Sequence, residues 1–335
     1  MKITRREFLE VLGIAGVLGF SSCTGIPVKV DTRKLEQVLN EVEVKKLSAE
    51  EISKLSEEDK VKELDRYIGE VKAQMPEIFT GTEQLDYKGK VYAVIFNGTK
   101  EEGDHRYLNE LVRVHSSLRE LGVDDMTVLY HSPEHESAKA IGAIDGTVEN
   151  LDKTFERINR EITEDDVLIF YITGNHKGGN SKTGIAAGNG NFRPEQIRTK
   201  YIKVDIDVKT NKPKVAGKNI LFLGNTYCWT LGLELKNIPG LIAVNAAGEG
   251  RYPTITSNYS INSTIAEAMG RGASPGQALA YAQKEQRIIL EYARELGQAE
   301  HTDEGSYISK LEMDVFSGQK ITETPDLVTD HIKKE

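Results

Sequence analysis

The chain has 335 residues, of which 39% are hydrophobic and 28% are charged, values typical of a soluble globular protein with one large or two modest domains. Its formal net charge is −9 and it contains no dense basic stretch, which argues against a nucleic-acid partner. The two cysteines, Cys23 and Cys228, are too few to form a disulfide framework for a fold of this size.

The first 23 residues have the pattern of an export and lipoprotein signal. A cationic start is followed by a mostly apolar stretch, and small residues then precede Cys23. Residues 4–9 resemble a twin-arginine export signal, and residues 20–23 resemble a prokaryotic lipobox. The resemblance implies cleavage before Cys23, acylation of its thiol and a lipid-anchored protein on the extracytoplasmic face of the cell membrane. The alternative is an uncleaved anchor, for which the apolar stretch is short.

Residues 24–86 are predicted to form a linker and a helical stalk between the membrane and the domain. The helical part is dense in Glu, Lys and Leu, and its apolar residues recur at helical spacing. Ser48 and Ser56 each precede acidic residues, which is typical of a helix start with a capping hydroxyl. We interpret this segment as a solvated spacer without a binding role.

From residue 87 to residue 300, apolar strands alternate with amphipathic helices. Strands are predicted near residues 90–96, 126–130, 167–173, 220–224 and 241–245, and helices near residues 106–121, 147–162, 261–269 and 277–296. This pattern indicates an α/β fold with a mainly parallel sheet that is covered by helices on both faces. Residues 184–217 form a polar insertion with a turn at residues 188–190, and residues 301–335 form a C-terminal tail.

Two motifs resemble other kinds of site. Residues 174–183 have the glycine and Lys-Thr pattern of a phosphate loop, but two extra residues separate Gly179 from Lys182 and no predicted helix follows. His131 and His135 have a spacing that binds metal on a helix, but the proline between them predicts a loop, and a catalytic zinc needs three protein ligands. We therefore expect an exposed polar turn around these histidines and neither a nucleotide site nor a metal site.

A histidine and a cysteine each follow a predicted buried strand. His176 comes after the strand at 167–173, and Cys228 comes after the strand at 220–224. Because ligand sites of open α/β sheets lie at the carboxyl ends of the strands, we expect the two side chains to meet there. A cysteine beside a histidine is a nucleophile with its base, although each residue alone also fits an ordinary core cysteine or surface histidine.

The surroundings of Cys228 favour a reactive thiol. A short helix is predicted directly after this residue, and the amino end of a helix lowers the pKa of a thiol. Backbone N–H groups near Gly178 and Cys228 are candidates for an oxyanion hole.

From about residue 91 to residue 250 the chain resembles the caspase-like fold of clan CD cysteine peptidases, and the legumain (asparaginyl endopeptidase) branch in particular. The resemblance is carried by residues 146–151, 163–166 and 170–176. It implies a caspase-like three-layer αβα sandwich in which His176 is the catalytic histidine and Cys228 is the nucleophile.

The same resemblance suggests residues that orient the histidine and bind the substrate. Residues 104–106 fall where the legumain branch has a histidine-orienting Asn and a substrate-pocket Arg. By that match Asp104 supports His176, and Arg106 binds an acidic or amide side chain, which implies cleavage after Asn or Asp. Glu249, in the loop after the fifth strand, is a further substrate-binding candidate that would change this preference.

The expected function is that of a surface-anchored cysteine endopeptidase acting on a peptide or protein substrate, with no metal or organic cofactor. Cys228 attacks the scissile carbonyl, and His176 protonates the leaving amine and then activates water. Lys177 and Trp229 stand where the family has glycine and a small or polar residue. These departures leave open an alternative, a catalytically inactive caspase-fold lipoprotein that binds peptide or glycan.

Overall fold

The structure is a computed structural model that describes the chain in separate ranges. These are residues 43–74, 89–99, 106–123, 125–163, 165–174, 185–193, 196–202, 204–207, 212–215, 218–225, 241–245, 260–271, 275–298 and 315–317.

The elements are numbered here in chain order. The helices are α1 (Ala49–Ile52), α2 (Glu57–Ala73), α3 (Arg106–Glu120), α4 (Glu136–Ala140), α5 (Val148–Glu161), α6 (Ile261–Gly270) and α7 (Pro275–Glu295), with a π-helical turn at Ile197–Tyr201. The strands are β1 (Val91–Asn97), β2 (Asp125–Tyr130), β3 (Ile144–Asp145), β4 (Val167–Gly174), β5 (Ile185–Ala187), β6 (Gly190–Phe192), β7 (Val204–Asp207), β8 (Lys212–Val215), β9 (Lys218–Asn225), β10 (Leu241–Asn245) and β11 (Val315–Ser317).

The central sheet has the strand order β3-β2-β1-β4-β9-β10-β11. All neighbouring pairs are parallel except β10 with β11, which are antiparallel. The two central strands, β1 and β4, are buried along their whole length, because their apolar runs are covered on both faces. The short β11 places part of the predicted C-terminal tail at one edge of this sheet.

Helices cover both faces of the sheet. The ring of Phe155 on α5 lies 4.8 Å, centroid to centroid, from the ring of Phe170 on β4. The next residue of the strand, Tyr171, donates a hydrogen bond to Glu110 on α3. Because successive strand side chains point to opposite faces, α5 lies on one face and α3 on the other, together with α6, which packs on α3. The predicted α/β fold with a mainly parallel sheet between two helical layers is confirmed.

Part of the insertion at residues 184–217 belongs to the core. Its first hairpin, β5–β6, contains the predicted turn, and a second hairpin is formed by β7 and β8. Phe192 at the end of β6 is fully buried, with its ring 5.4 Å from that of Phe96 on β1. Tyr201 lies 4.9 Å from Phe155 by the same measure. These rings extend the core on the α5 face.

The N-terminal helices begin where the sequence predicts. Ser48 caps α1 in a capping box with Glu51, and Ser56 caps α2. The interpretation of this segment as a solvated spacer is wrong for α2, because its inner face packs against α7 in one hydrophobic cluster. The buried members of this cluster are Leu64, Tyr67, Ile68, Val71, Ile289, Tyr292, Ala293 and Leu296. Within the described ranges, no helix has both the length and the apolar character that a membrane span requires.

Candidate functional site

The candidate site is at the carboxyl edge of the sheet, near the point where the strand order changes direction. The chain passes from β1 to β2 on one side and then to β4 on the other, so the switch point lies between β1 and β4. Ligands of open α/β sheets bind outside the carboxyl ends of the strands at such a point. The strand ends here are Asn97 on β1, Gly174 on β4 and, next to it, Asn225 on β9.

The ends of β1 and β4 are tied together by a buried amide. The side chain of Asn97 is fully buried, and its Nδ2 donates to the Thr173 carbonyl oxygen at 3.3 Å. Its Oδ1 accepts a hydrogen bond from the backbone N–H of Thr99 at 3.1 Å. Asn97 therefore fixes the last residues of both strands and the turn of chain that leaves β1.

Gly174, the last residue of β4, cannot be replaced without strain. Its φ is +124°, a conformation that residues with a Cβ rarely adopt. A Cβ at this position would lie 2.4 Å from Thr99 Oγ1 and 3.1 Å from Asn97 Nδ2. The path of the chain out of β4 is thus determined by both backbone conformation and close packing.

A buried carboxylate lies beneath this strand end. Glu110 on α3 is fully buried and accepts hydrogen bonds from the hydroxyls of Tyr171, Thr173 and Ser260, with 2.7 Å between Thr173 Oγ1 and Glu110 Oε2. Burial, and after it the charge of Glu110, raise the pKa of Tyr171, which keeps the phenol protonated as a donor. We call Glu110, Tyr171, Thr173 and Ser260 the edge cluster.

Ser260 connects the edge cluster to the start of α6. Its side chain donates to Glu110 and also accepts the backbone N–H of Ser263 at 3.1 Å, so the same hydroxyl caps the helix. One carboxylate therefore joins α3, the end of β4 and the first turn of α6.

A second polar cluster, which is partly buried, joins three helices. Lys72 on α2 forms an ion pair with Glu267 on α6 and lies 3.9 Å from Glu285 on α7. Thr264 Oγ1 donates to Glu285 Oε1 at 3.0 Å. Burial raises the pKa of Glu285, and the charge of Lys72 acts in the opposite direction. We call Lys72, Thr264, Glu267 and Glu285 the helix cluster.

Most of the residues predicted to form the site lie outside the described residues. These are Cys23, Asp104, His176, Gly178, Cys228 and Glu249. Arg106 is the first residue of α3, and its side chain also lies outside the description. The structure does describe the strands that lead to the predicted dyad.

The strands that precede His176 and Cys228 are direct neighbours, as the sequence predicts. β4 and β9 are parallel, and their last residues, Gly174 and Asn225, are paired in register. Adjacent strands lie about 4.8 Å apart. In the sequence, His176 comes two residues after Gly174. Cys228 comes three residues after Asn225.

One of the two histidines near residue 133 has a local structural role. His135 is partly buried and caps α4, since its Nδ1 accepts the backbone N–H of Ser137 at 3.2 Å. We expected an exposed polar turn here, but His131 and His135 are both partly buried, and the turn leads directly into this short helix. In the part of the chain that the structure describes, no group of three His, Cys, Asp or Glu side chains is arranged to hold a metal ion.

Sequence patterns did not identify the edge cluster. Glu110 lies one residue before the apolar Leu111 in a predicted helix, and its charge in that position is the only signal. Two of its hydroxyl donors are 61 and 150 residues away in the chain, so no local pattern could pair them.

No protein-family model matches the chain, and no curated protein matches it either. The fold and the strand ends define an α/β protein with a doubly wound sheet, and its function is inferred from these features.

Proposed function

We propose that this protein is a cysteine endopeptidase that cleaves peptide bonds with Cys228 as nucleophile and His176 as acid and base. The observation that carries the proposal is the register of β4 and β9, whose paired ends, Gly174 and Asn225, lead directly to the two residues. The carboxyl edge of a parallel sheet is where an open α/β fold binds its ligand.

The chemistry follows from the two side chains. A thiolate paired with an imidazolium attacks the scissile carbonyl, forming a C–S bond and an oxyanion. His176 then gives its proton to the leaving amine as the C–N bond breaks, and it later takes a proton from the water that hydrolyses the acyl-enzyme. Backbone N–H groups at Gly178 and Cys228 are proposed to hold the oxyanion. No metal or organic cofactor takes part in this scheme.

The position of α3 supports a substrate-binding role for Arg106. Glu110 on α3 contacts Thr173 beside the end of β4, and Arg106 is one helical turn nearer the start of the helix. The helix thus begins at the carboxyl edge. An arginine there suits an Asp or Asn side chain of the substrate, with Asp104 proposed to orient His176 and Glu249 proposed to modify the preference.

We also propose that the protein is attached to the membrane through an acylated Cys23, with the domain on the extracytoplasmic face. The support is the order of cationic, apolar and small residues before Cys23. Membrane fractionation of the full chain and of Cys23→Ala tests this proposal. The full chain should be in the membrane fraction and the variant should not, whereas equal membrane association of both contradicts it.

The test of the peptidase proposal uses a peptide library at neutral and mildly acidic pH. Wild type should cleave, and both Cys228→Ala and His176→Ala should lose at least about 10³-fold in kcat/KM. Equal cleavage by wild type and Cys228→Ala, or no cleavage by any form, contradicts the proposal. Peptide binding without cleavage would favour the inactive binding lipoprotein instead.

A further inference from the structure

Glu110 and Thr173 are candidates for a role in the reaction, although neither belongs to the predicted dyad. Both side chains are fully buried, and their hydrogen bond of 2.7 Å joins α3 to the last residue but one of β4. The strand then ends at Gly174, and His176 follows two residues later.

The end of β4 is held from several directions at once. The Thr173 hydroxyl donates to Glu110, and the Thr173 carbonyl accepts the amide of Asn97. The backbone of Thr173 is paired in register with Gly224 on β9. Gly174 then leaves the strand at a positive φ, with no room for a side chain. Together, these hydrogen bonds, the strand pairing and the close packing at Gly174 fix the direction in which the chain leaves β4.

Stability by itself does not account for a buried carboxylate. A charge taken out of water must be compensated by hydrogen bonds, and apolar residues of similar volume are often as stable or more so. Hydrogen bonds to a carboxylate also fix the direction and distance of each donor group. In the edge cluster two of these donors, Tyr171 and Thr173, lie within five residues of His176.

We propose that Glu110 and Thr173 are positioning residues, which fix the end of β4 so that His176 is held in line with Cys228. The proposal rests on the proposed peptidase function. Ser260 extends the same constraint to α6, because its hydroxyl is shared between Glu110 and the first turn of that helix.

The test compares substitutions that differ by a single hydroxyl. Thr173→Val removes the donor while keeping the shape, and Thr173→Ser keeps the donor. The matched control is Thr154→Val on α5, where the hydroxyl donates to the Asn150 carbonyl at 2.8 Å on the other face of the sheet. If Thr173→Val does not fold, Glu110→Gln, which keeps the size of the side chain, is judged by the same criteria.

Two measurements are made on the full chain: kcat and KM with a cleaved peptide, and amide hydrogen exchange over residues 174–178. We expect Thr173→Val to lower kcat by about 10- to 100-fold with KM changed less than about threefold, since a small misplacement of a catalytic group can cost that much. Exchange in this segment should become faster. Thr173→Ser should restore both values, and Thr154→Val should match wild type.

The outcomes separate the two proposals. If turnover depends on Cys228 but Thr173→Val matches wild type in kcat and in exchange, the positioning role is wrong and the peptidase function stands. A fall in kcat that Thr173→Ser does not restore also contradicts the positioning role. If Cys228→Ala leaves turnover unchanged, the peptidase function fails, and the positioning role of Glu110 and Thr173 fails with it.

Discussion

The edge cluster and the helix cluster each contain a fully buried glutamate, but the partners differ. Glu110 in the edge cluster accepts hydrogen bonds from three hydroxyls, two of them on β4. Glu285 in the helix cluster faces the ammonium of Lys72 and a second carboxylate, Glu267, and it accepts hydrogen bonds from the hydroxyls of Thr264 and Tyr281.

The different partners of the two glutamates indicate that the two clusters have different roles. Hydroxyl donors fix the direction of the groups that carry them, so the edge cluster sets the geometry of a strand end. An ion pair between helices holds the helices together, because loss of either partner leaves an uncompensated buried charge. We therefore expect the edge cluster to affect the candidate site and the helix cluster to affect the docking of α2.

The largest effect is expected for Lys72→Met. This change removes the cation beside Glu285, whereas Glu267 keeps Arg113 at 3.7 Å, and breaking a buried pair costs about 3–5 kcal/mol. We expect a loss at the lower end of this range, because 17% of the Lys72 side chain is exposed to solvent. Urea unfolding measures the loss. Lys153→Met removes an exposed lysine of an i,i+4 pair and should leave the free energy of unfolding nearly unchanged. Equal small effects would contradict the role of the helix cluster.

Gly174→Ala should be the next largest change. The positive φ alone costs about 1–3 kcal/mol for a residue with a Cβ, and the contact with Thr99 adds to this. The matched control is Gly69→Ala in the middle of α2, where a Cβ meets no atom within 4 Å. That variant should gain about 0.5–1 kcal/mol in the free energy of unfolding. If both variants are stabilised, the described path of the chain at Gly174 is incorrect.

Glu285→Gln should change how stability depends on pH. Burial raises the folded-state pKa of Glu285 above its ordinary value of 4.5, with Lys72 opposing the shift and Glu267 adding to it. The folded state then binds the proton more tightly than the unfolded state, so wild type loses stability as the pH rises through the two pKa values. The free energy of unfolding of wild type minus that of the variant should fall as the pH rises above 4.5. A constant difference would contradict the shift.

Ser56→Ala should have the smallest effect. The Ser56 hydroxyl accepts the backbone N–H of Asp59 at 3.2 Å, and loss of an N-cap of this type costs about 1 kcal/mol. Ser116→Ala is the control, since Ser116 is exposed within α3 and alanine favours a helix. Thermal unfolding of both variants measures the difference. Equal midpoints for the two would show that the cap contributes nothing to the attachment of α2.

Local sequence patterns predicted much of the fold. Apolar runs identified β1, β4, β9 and β10, and the hydroxyl-then-acid pattern located the caps at Ser48 and Ser56. The spacer interpretation was wrong because an apolar stripe on a helix does not show which element it packs against. For α2 that element is α7, more than 200 residues later in the chain. The three-residue β11 was missed because so short a strand carries no periodic signal.

For the candidate site, chain order predicted that the strands before His176 and Cys228 are neighbours, and the pairing of Gly174 with Asn225 agrees. The edge cluster required tertiary structure, because Glu110, Tyr171 and Ser260 come together from three distant segments.

The central claim is that Cys228 and His176 form one pair at the carboxyl edge. The most direct measurement is the rate at which iodoacetamide alkylates Cys228, followed by mass spectrometry of its peptide over the range from about pH 5 to pH 9 in wild type and His176→Ala. A paired thiol should react with a midpoint below about pH 7.5 in wild type, and the midpoint should move towards about 8.5, the value of an ordinary thiol, in the variant. Identical profiles with a midpoint near about 8.5 in both proteins would contradict the claim.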